Sequence, residues 1–426
     1  MKDSALALSF QPHLTPKPHF LDGLARRAVH GRLKDIETGS ITLIEGERKQ
    51  NYGESAPPSA LKVEIRVHDA RFYTEIAFGG SIGAGEAYML GYWSVDDLTA
   101  LMRVLLQNRG VLDSMEGGIA RLTAPLQKAL HWTARNTHTG SRRNIAAHYD
   151  LGNDFFGLFL DPTMMYSSAI FERADMTLEA ASIAKLDRIC RKLDLKPTDH
   201  VLEIGTGWGG FALHAARHYG CRVTTTTISP SQFELARQRI DAANLGAQIT
   251  LEATDYRDLS GHYDKLVSIE MIEAVGHQYY DTYFAKCSEL LKPDGAMLLQ
   301  AITIADQRYA AALRSVDFIQ RYIFPGSCIP AVSVMSDAVA RVTDMKLFHL
   351  EDIGPHYATT LAKWRENLAS NLDRVRTAGY SDEFIRMWEF YFCYCEAGFL
   401  ERAIGDVQMM LVKPGARPCP ITPSLA

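Results

Sequence analysis

The sequence predicts an α/β protein, a mostly parallel doubly wound sheet preceded by a small α+β unit. Two observations carry this. Between residues 178 and 300, short apolar and β-branched runs alternate with helical periods, the pattern of strand–helix–strand crossovers. One run ends at Glu203 and passes through Gly205, Gly207 and Gly209 into a helix, where an open parallel sheet places its ligand. Size agrees: 426 residues, 47% hydrophobic and 22% charged, make a folded chain of two or three domains. A core that large needs no disulfide or metal staple.

Taken in order, residues 1 to about 17 hold three prolines and read as a loose tail. Leu21, Leu24, Ala25 and Ala28 suggest a short helix. SITLIE (40–45) and LKVEIRV (61–67) alternate with period two and read as strands. Gly83, Gly85 and Gly91 punctuate GAGEAYMLGYWS (83–94), which reads as a loop. Ser94 and Asp97 form a capping-box start to a helix carrying Leu98, Leu101, Met102 and Leu105 on one face. This unit is expected to span 1–120, with a connector over 121–147. From His148 on, a second domain runs to 426. It has a helix at 178–193, strand 201–204, helix 210–218, strand 222–227 and helix 231–244. Strands 248–252 and 265–269, helix 279–291 and strand 296–300 follow. Residues 305–345, aromatic and Pro-containing, interrupt that rhythm and read as a helical insertion over the site.

Charge and cysteine content exclude several functions. Forty-five basic against fifty acidic residues leave −5, unlike a nucleic-acid binder. The stretch from Arg103 to Tyr149 is the exception. It carries seven bases (Arg103, Arg109, Arg121, Lys128, Arg135, Arg142, Arg143) against Asp113 and Glu116. A solvated linker or a segment facing an anionic lipid surface explains it. Seven cysteines form no CxxC pair and suit reduced, cytosolic thiols, with no metal site. Neither a signal peptide nor an apolar run of about 18–20 residues is read, so a soluble, cytoplasmic protein is expected.

The glycine loop could cradle a dinucleotide phosphate, but GTGWGG is not GxGxxG, and Glu203 would repel phosphate. An acid there suits a cation such as the amino group of S-adenosylmethionine. After the second strand, Thr227, Ser229 and Gln232 stand where many nucleotide enzymes place an acid on the ribose. Asp255 is a candidate for the adenine amino group, or simply a helix cap.

These residues resemble the cyclopropane-fatty-acyl-phospholipid synthases and the related mycolic acid methyltransferases. The matching stretches are HYDLGNDFFGLFLDPTMMYSSA (148–169), VLEIGTGWGG (201–210), TTISPSQ (226–232), EMIEAVG (270–276) and YYDTYF (279–284). DFIQRYIFPGSCIP (317–330), HYATTL (356–361) and YFCYCEAGFLERAIGDVQMMLVKP (391–414) complete them, and GAGEAYMLGYWS resembles the family's N-terminal domain.

The resemblance implies a Rossmann-like methyltransferase fold with a helical lid, and S-adenosylmethionine as methylene donor. It implies as acceptor a cis-unsaturated phospholipid acyl chain at the inner, anionic membrane surface, and it admits a homodimer without specifying one. Attack of an alkene on the sulfonium methyl leaves a carbocation, which aromatic faces can steady and a base must deprotonate. In the family that base is a bound bicarbonate, whose contacts carry over to Glu273, Tyr357 and the backbone of Ile302. Tyr166 and Ser167 fall on the cofactor side. Two positions depart from the familiar pattern: Ser168 stands for a cysteine and Gln300 for a histidine. Both can hydrogen-bond an anion, but Gln300 cannot carry a proton. A fatty-acyl C-methyltransferase is the near alternative, and a non-catalytic lipid-binding protein the distant one. Bland roles also exist: a helix-start cap for Glu273, a core phenol for Tyr357, packing for His148 and Tyr149. Phe318, Tyr322 and Phe324 read either as core or as an acyl-chain lid.

Overall fold

The computed structural model describes residues 21–53, 61–117 and 152–421. The N-terminal tail, the connector at 121–147, His148 and Tyr149 lie outside the described residues, as does most of the basic stretch. The chain forms two compact units. One comprises Met1–Leu130, Val316–Ile323 and Gly379–Ala397; the other comprises His131–Ser315, Phe324–Ala378 and Gly398–Ala426.

The first unit holds a four-stranded sheet in the order β2-β1-β3-β4: β1 Ser40–Glu45, β2 Arg48–Tyr52, β3 Lys62–Val67 and β4 Trp93–Val95. Apolar alternation in β1 and β3 buries Ile41, Leu43, Val63 and Ile65. Two expectations are corrected here. Residues 83–89 are not a loop but the end of a helix, Arg71–Met89, bent at Gly80, where φ is +59°. Its glycines serve close approach. A Cβ on Gly83 would lie 2.0 Å from the Glu75 carbonyl oxygen across the bend, and one on Gly85 would lie 2.6 Å from the Phe318 ring. Nor is there a capping box. Ser94 lies in β4, and Asp97 alone caps the helix Leu98–Gln107, accepting from the Ala100 N–H at 2.8 Å.

The insertion is also corrected. Its middle, Val316–Ile323, belongs with the N-terminal elements, as does most of the helix Asp382–Leu400. The reason is local chemistry. Phe318 packs on Phe390 with centroids 4.5 Å apart, and Tyr322 donates to Glu86. Tyr88 donates to Glu389 at 2.9 Å, and Thr99 to Glu396 at 3.1 Å. The insertion's last helix, Val332–Val342, covers the large sheet instead, with Met335, Ala338 and Val339 in the core.

The second unit carries seven strands in the order β10-β11-β9-β8-β5-β6-β7. They are β5 His200–Ile204, β6 Arg222–Thr226, β7 Ile249–Glu252, β8 Tyr263–Ile269, β9 Leu291–Ile304, β10 Lys346–Asp352 and β11 Ile404–Val412. Strands β5 to β9 pair in parallel, as their helical crossovers require; β10 and β11 join antiparallel. Successive residues feed opposite faces. Leu202, Leu299 and Met409 pack with the helices Tyr280–Leu290 and Val332–Val342. Val201, Leu298 and Met410 pack with Leu178–Lys192 and Gly210–Tyr219. Strand order reverses between β5 and β8, which opens a crevice at their carboxyl ends.

Two neighbouring glycines test the close approach in the first unit. Gly85→Ala should destabilise it by ~1–3 kcal/mol through overpacking against Phe318. Gly79→Ala in the same helix, where an added Cβ meets nothing within 4 Å, should be neutral or gain ~0.4–1 kcal/mol. Urea titrations of the two variants check this; equal midpoints would refute the packing account.

Candidate active site

Strand β5 delivers Glu203, buried in the sheet, to the start of the glycine loop. Gly205, Gly207 and Gly209 hold φ of +101°, +52° and +86°, the left-handed region that L side chains avoid. Trp208, buried beneath the loop, donates from Nε1 to Asn153 Oδ1 at 2.7 Å, and Asn153 donates to the Ser231 carbonyl at 3.2 Å. Arg239 ties the Trp208 carbonyl (2.6 Å) to that of Thr163 (3.2 Å), so the loop and the segment leading to Tyr166 are held together.

The polar residues after β6 are organised among themselves. Ser229 caps the helix Pro230–Ala242 through the Gln232 N–H at 3.3 Å, and Thr227 donates to Gln232 Oε1 at 2.9 Å. Asp255 caps the turn Tyr256–Asp258 and is gripped by Arg257 at 2.8 and 2.6 Å. The cap role is thus real, and any ligand contact there shares a carboxylate already paired.

At the carboxyl ends of β8 and β9 the structure builds more than the sequence reading foresaw. Glu270, with φ +49°, accepts from the Ser168 N–H and Gln300 Nε2, both at 2.8 Å on Oε1, and from the Tyr357 hydroxyl at 2.7 Å on Oε2. Glu273 accepts from the Ile302 N–H at 2.5 Å, while its buried Oε2 has no hydrogen-bond partner. It sits inside a short turn, Ile272–Ala274, and caps no helix. Asp406, from β11, is fully buried; Oδ2 accepts from Gln300 Nε2 at 3.2 Å and Oδ1 has no partner. Lys185 is fully buried as well and donates to Ser167 at 2.7 Å.

Electrostatics follow from crowding acids in a dry site. Burial pushes Glu203 up to about 8, partly opposed by the Thr225 hydroxyl at 2.6 Å and Lys185. Burial and then the Glu270 charge push Glu273 up to about 8. Glu270 is raised by burial against the pull of Lys185 and its three donors. Asp406 is raised well above the carboxylate range by burial and by Glu270 and Glu273. Burial lowers Lys185 to about 8 although four acids oppose it. One buried ammonium among so many carboxyls leaves room for positive charge, so the donor set suits a cationic ligand such as the sulfonium and ammonium of S-adenosylmethionine.

Aromatic rings line the same region. Tyr166 lies 5.2 Å from Trp364, 5.3 Å from Phe156 and 6.1 Å from Phe324. Tyr357 stacks on Phe399 at 4.5 Å. Of the expected aromatic lid, Phe324 alone joins this ring set; Phe318 and Tyr322 pack within the first unit.

The structure therefore brings Ser168, Gln300, Ile302, Glu273 and Tyr357 together. Gln300, Tyr357 and Ile302 donate to protein carboxylates rather than standing free for an anion. Ser168 contributes its backbone N–H, and its hydroxyl donates to the Ala169 carbonyl at 3.0 Å. Lys185, Glu270 and Asp406 were passed over as site residues. Lys185 lay in a stretch that read as ordinary helix, while Glu270 and Asp406 lay in stretches matched to the family without a role of their own; the signal was a charged residue among apolar neighbours.

Residues 136–409 match the family described as mycolic acid cyclopropane synthetase. The chain is 38% identical over 379 residues to tuberculostearic acid methyltransferase of Mycobacterium tuberculosis, covering 85% of each. It is 36% identical over 356 residues to cyclopropane-fatty-acyl-phospholipid synthase of Escherichia coli K12, covering 82% of this chain and 87% of that one. Among solved structures, a cyclopropane synthase from Mycobacterium tuberculosis aligns with TM-score 0.60 and 32% identity, over 64% of this chain and 98% of that one. A mycolic acid cyclopropane synthase complexed with SAH and CTAB aligns equally well. No helix among the described residues is long and apolar enough to cross a membrane. The chain belongs to the mycolic acid cyclopropane synthetase family and is an S-adenosylmethionine-dependent lipid methyltransferase.

Proposed function

We propose that the chain is a cyclopropane-fatty-acyl-phospholipid synthase, adding a methylene to the cis double bond of an unsaturated phospholipid acyl chain. The observation that carries this reading is Glu273 Oε2, a buried carboxylate oxygen with no hydrogen-bond partner. Ring closure needs a proton removed from the newly added methyl, and an unpaired buried acceptor suits that step.

S-adenosylmethionine, when bound, supplies the electrophilic methyl. Glu203 would meet its positive charge, Gly205, Gly207 and Gly209 would let the backbone approach it, and Tyr166, Ser167, Thr227, Ser229, Gln232 and Asp255 are the further residues we assign to hold it. Tyr166, Trp364 and Tyr357 present ring faces able to steady a carbocation on the acyl chain. Bicarbonate, when bound, would supply a mobile base. Glu273 Oε2 suits its O–H, while the donors of Gln300, Tyr357 and Ile302 are already engaged on Glu270 and Glu273. Glu273 thus either orients the base or takes the proton itself. Its raised affinity for a proton serves both. Membrane attachment through the basic stretch from Arg103 to Tyr149, and a homodimer, belong to the same proposal.

A second reading, a fatty-acyl C-methyltransferase giving a methyl or methylene branch, is favoured by the match to tuberculostearic acid methyltransferase across 85% of both chains. Lipids from a host expressing the protein separate the two. Ring closure adds the mass of one methylene and removes the double bond from ozonolysis, whereas a methylene branch keeps a cleavable double bond. A saturated methyl branch differs from a ring by two hydrogens. Unchanged lipids would reject both readings.

Three further outcomes are expected. Gly207→Val should weaken S-adenosylmethionine binding at least roughly tenfold, since the branched side chain would occupy space we assign to the cofactor, while its strain at φ +52° should cost the fold ~1–2 kcal/mol. The fold should survive, because an added Cβ there meets no protein atom within 4 Å; calorimetry showing wild-type affinity would remove the assignment.

Glu273→Gln should cut turnover by ~10²-fold or more with little change in cofactor affinity, and Tyr357→Phe should cut it more mildly. Turnover of wild type should fall in bicarbonate-free buffer and return on its addition; if it does not, bicarbonate is not the base.

Because Glu203 and Glu273 titrate near 8 when folded and near 4.5 when unfolded, the native state holds protons that the unfolded chain releases. Their contribution to stability is full below about pH 4.5 and is lost as pH rises through about 8. The melting temperature of ligand-free protein should therefore decline across that window, less steeply in Glu273→Gln.

A further inference from the structure

Gln300 and Gln408 face each other as a cross-strand pair of β9 and β11, both fully buried. They lie on the sheet face covered by Leu178–Lys192, whose last residue reaches them. Lys192 Nζ donates to Gln408 Oε1 at 2.8 Å, and Gln408 Nε2 donates to Gln300 Oε1 at 3.1 Å. Gln300 Nε2 then donates to Glu270 at 2.8 Å and to Asp406 at 3.2 Å. The oxygen and nitrogen of a glutamine amide are told apart by their partners. Here one partner has no freedom: an ammonium only donates. The atom beside Lys192 must be the Gln408 oxygen, its nitrogen must face Gln300, and the atom it faces must be the Gln300 oxygen. Both N–H bonds of Gln300 are thereby aimed at the carboxyls.

We propose that Lys192 and Gln408 are positioning residues that set the polarity of the Gln300 amide, so that it presents donors to Glu270 and Asp406. Lys192 is itself held by Glu351, which Arg188 also grips, so the ammonium is anchored from outside the site. Without the relay the amide could reverse. The Gln300 oxygen would then face Glu270, which would lose one of its three donors and meet a carbonyl instead. The effect on turnover rests on the reading of Gln300 as part of the reacting site; the orienting relay does not.

Gln408→Glu separates the two. The variant keeps size and the bond to Lys192, now an ion pair, but offers Gln300 an acceptor where it had a donor. Neutron diffraction from deuterated crystals of the full chain reads the amide directly. In wild type the Gln300 deuterons should point to Glu270 and Asp406, a test that needs no variant; the reverse orientation would overturn the proposal. In Gln408→Glu they should turn to the new carboxylate, and an unchanged orientation would overturn it too. Turnover should then fall roughly tenfold or more, the effect of a lost hydrogen bond to a charged group, with KM for S-adenosylmethionine unchanged. Lys192→Arg, which preserves a donor, should keep the wild-type amide and rate. Reversal without loss of turnover would uphold the relay and remove Gln300 from the reacting site.

Discussion

The burial of carboxylic acids at the carboxyl ends of β5, β8 and β9, with one buried lysine among them, constrains everything around it. Glu270 is the centre of that arrangement. It tolerates a dry position because three donors from three parts of the chain converge on it: Ser168, Gln300 and Tyr357. Leaving such a group unpaired would cost several kcal/mol. The segment carrying Ser168, the strand β9 and the helix Gly354–Ser370 are therefore committed to one relative placement in the second unit.

The same constraint explains the cofactor's character. A phosphate at the glycine loop would meet Glu203 in a dry site already rich in acids. A sulfonium bearing an ammonium would instead meet carboxyls able to ionise in its favour. The glycine loop alone is ambiguous between these ligands; the acid preceding it and the acids beyond it decide. On the function proposed above, the aromatic rings would supply the other half, faces able to steady a developing cation.

The two departures from the familiar family pattern also find physical accounts. Ser168 acts on Glu270 through its backbone N–H, a contact that does not depend on which side chain stands there. Gln300 keeps two donors on carboxyls, and its neighbours on β11 and on Leu178–Lys192 are suited to keep it so. The residue at this place is joined by strand register to one more than a hundred positions away.

The alternation of strands and helices, the glycine loop and its acid were legible because they are local: period, turn chemistry and a charge at a known offset. Chain order likewise carried β5 to β9 in sequence. The resemblance added Glu273, Tyr357 and Ile302 as neighbours. What sequence could not decide was which distant segments share a core. Val316–Ile323 and Gly379–Ala397 joined the N-terminal elements through Phe318, Phe390 and Glu86. Strands β10 and β11 completed a sheet that seemed to end at β9. Gly83 and Gly85 looked like loop residues, yet they are helix positions where another group comes too near for a Cβ. Glu270, Asp406, Lys185 and the Gln408–Gln300 pair are meaningful only through partners far off in the chain. Local order is written in spacing and propensity, whereas burial, pairing and the polarity of an amide are set by what lies across space.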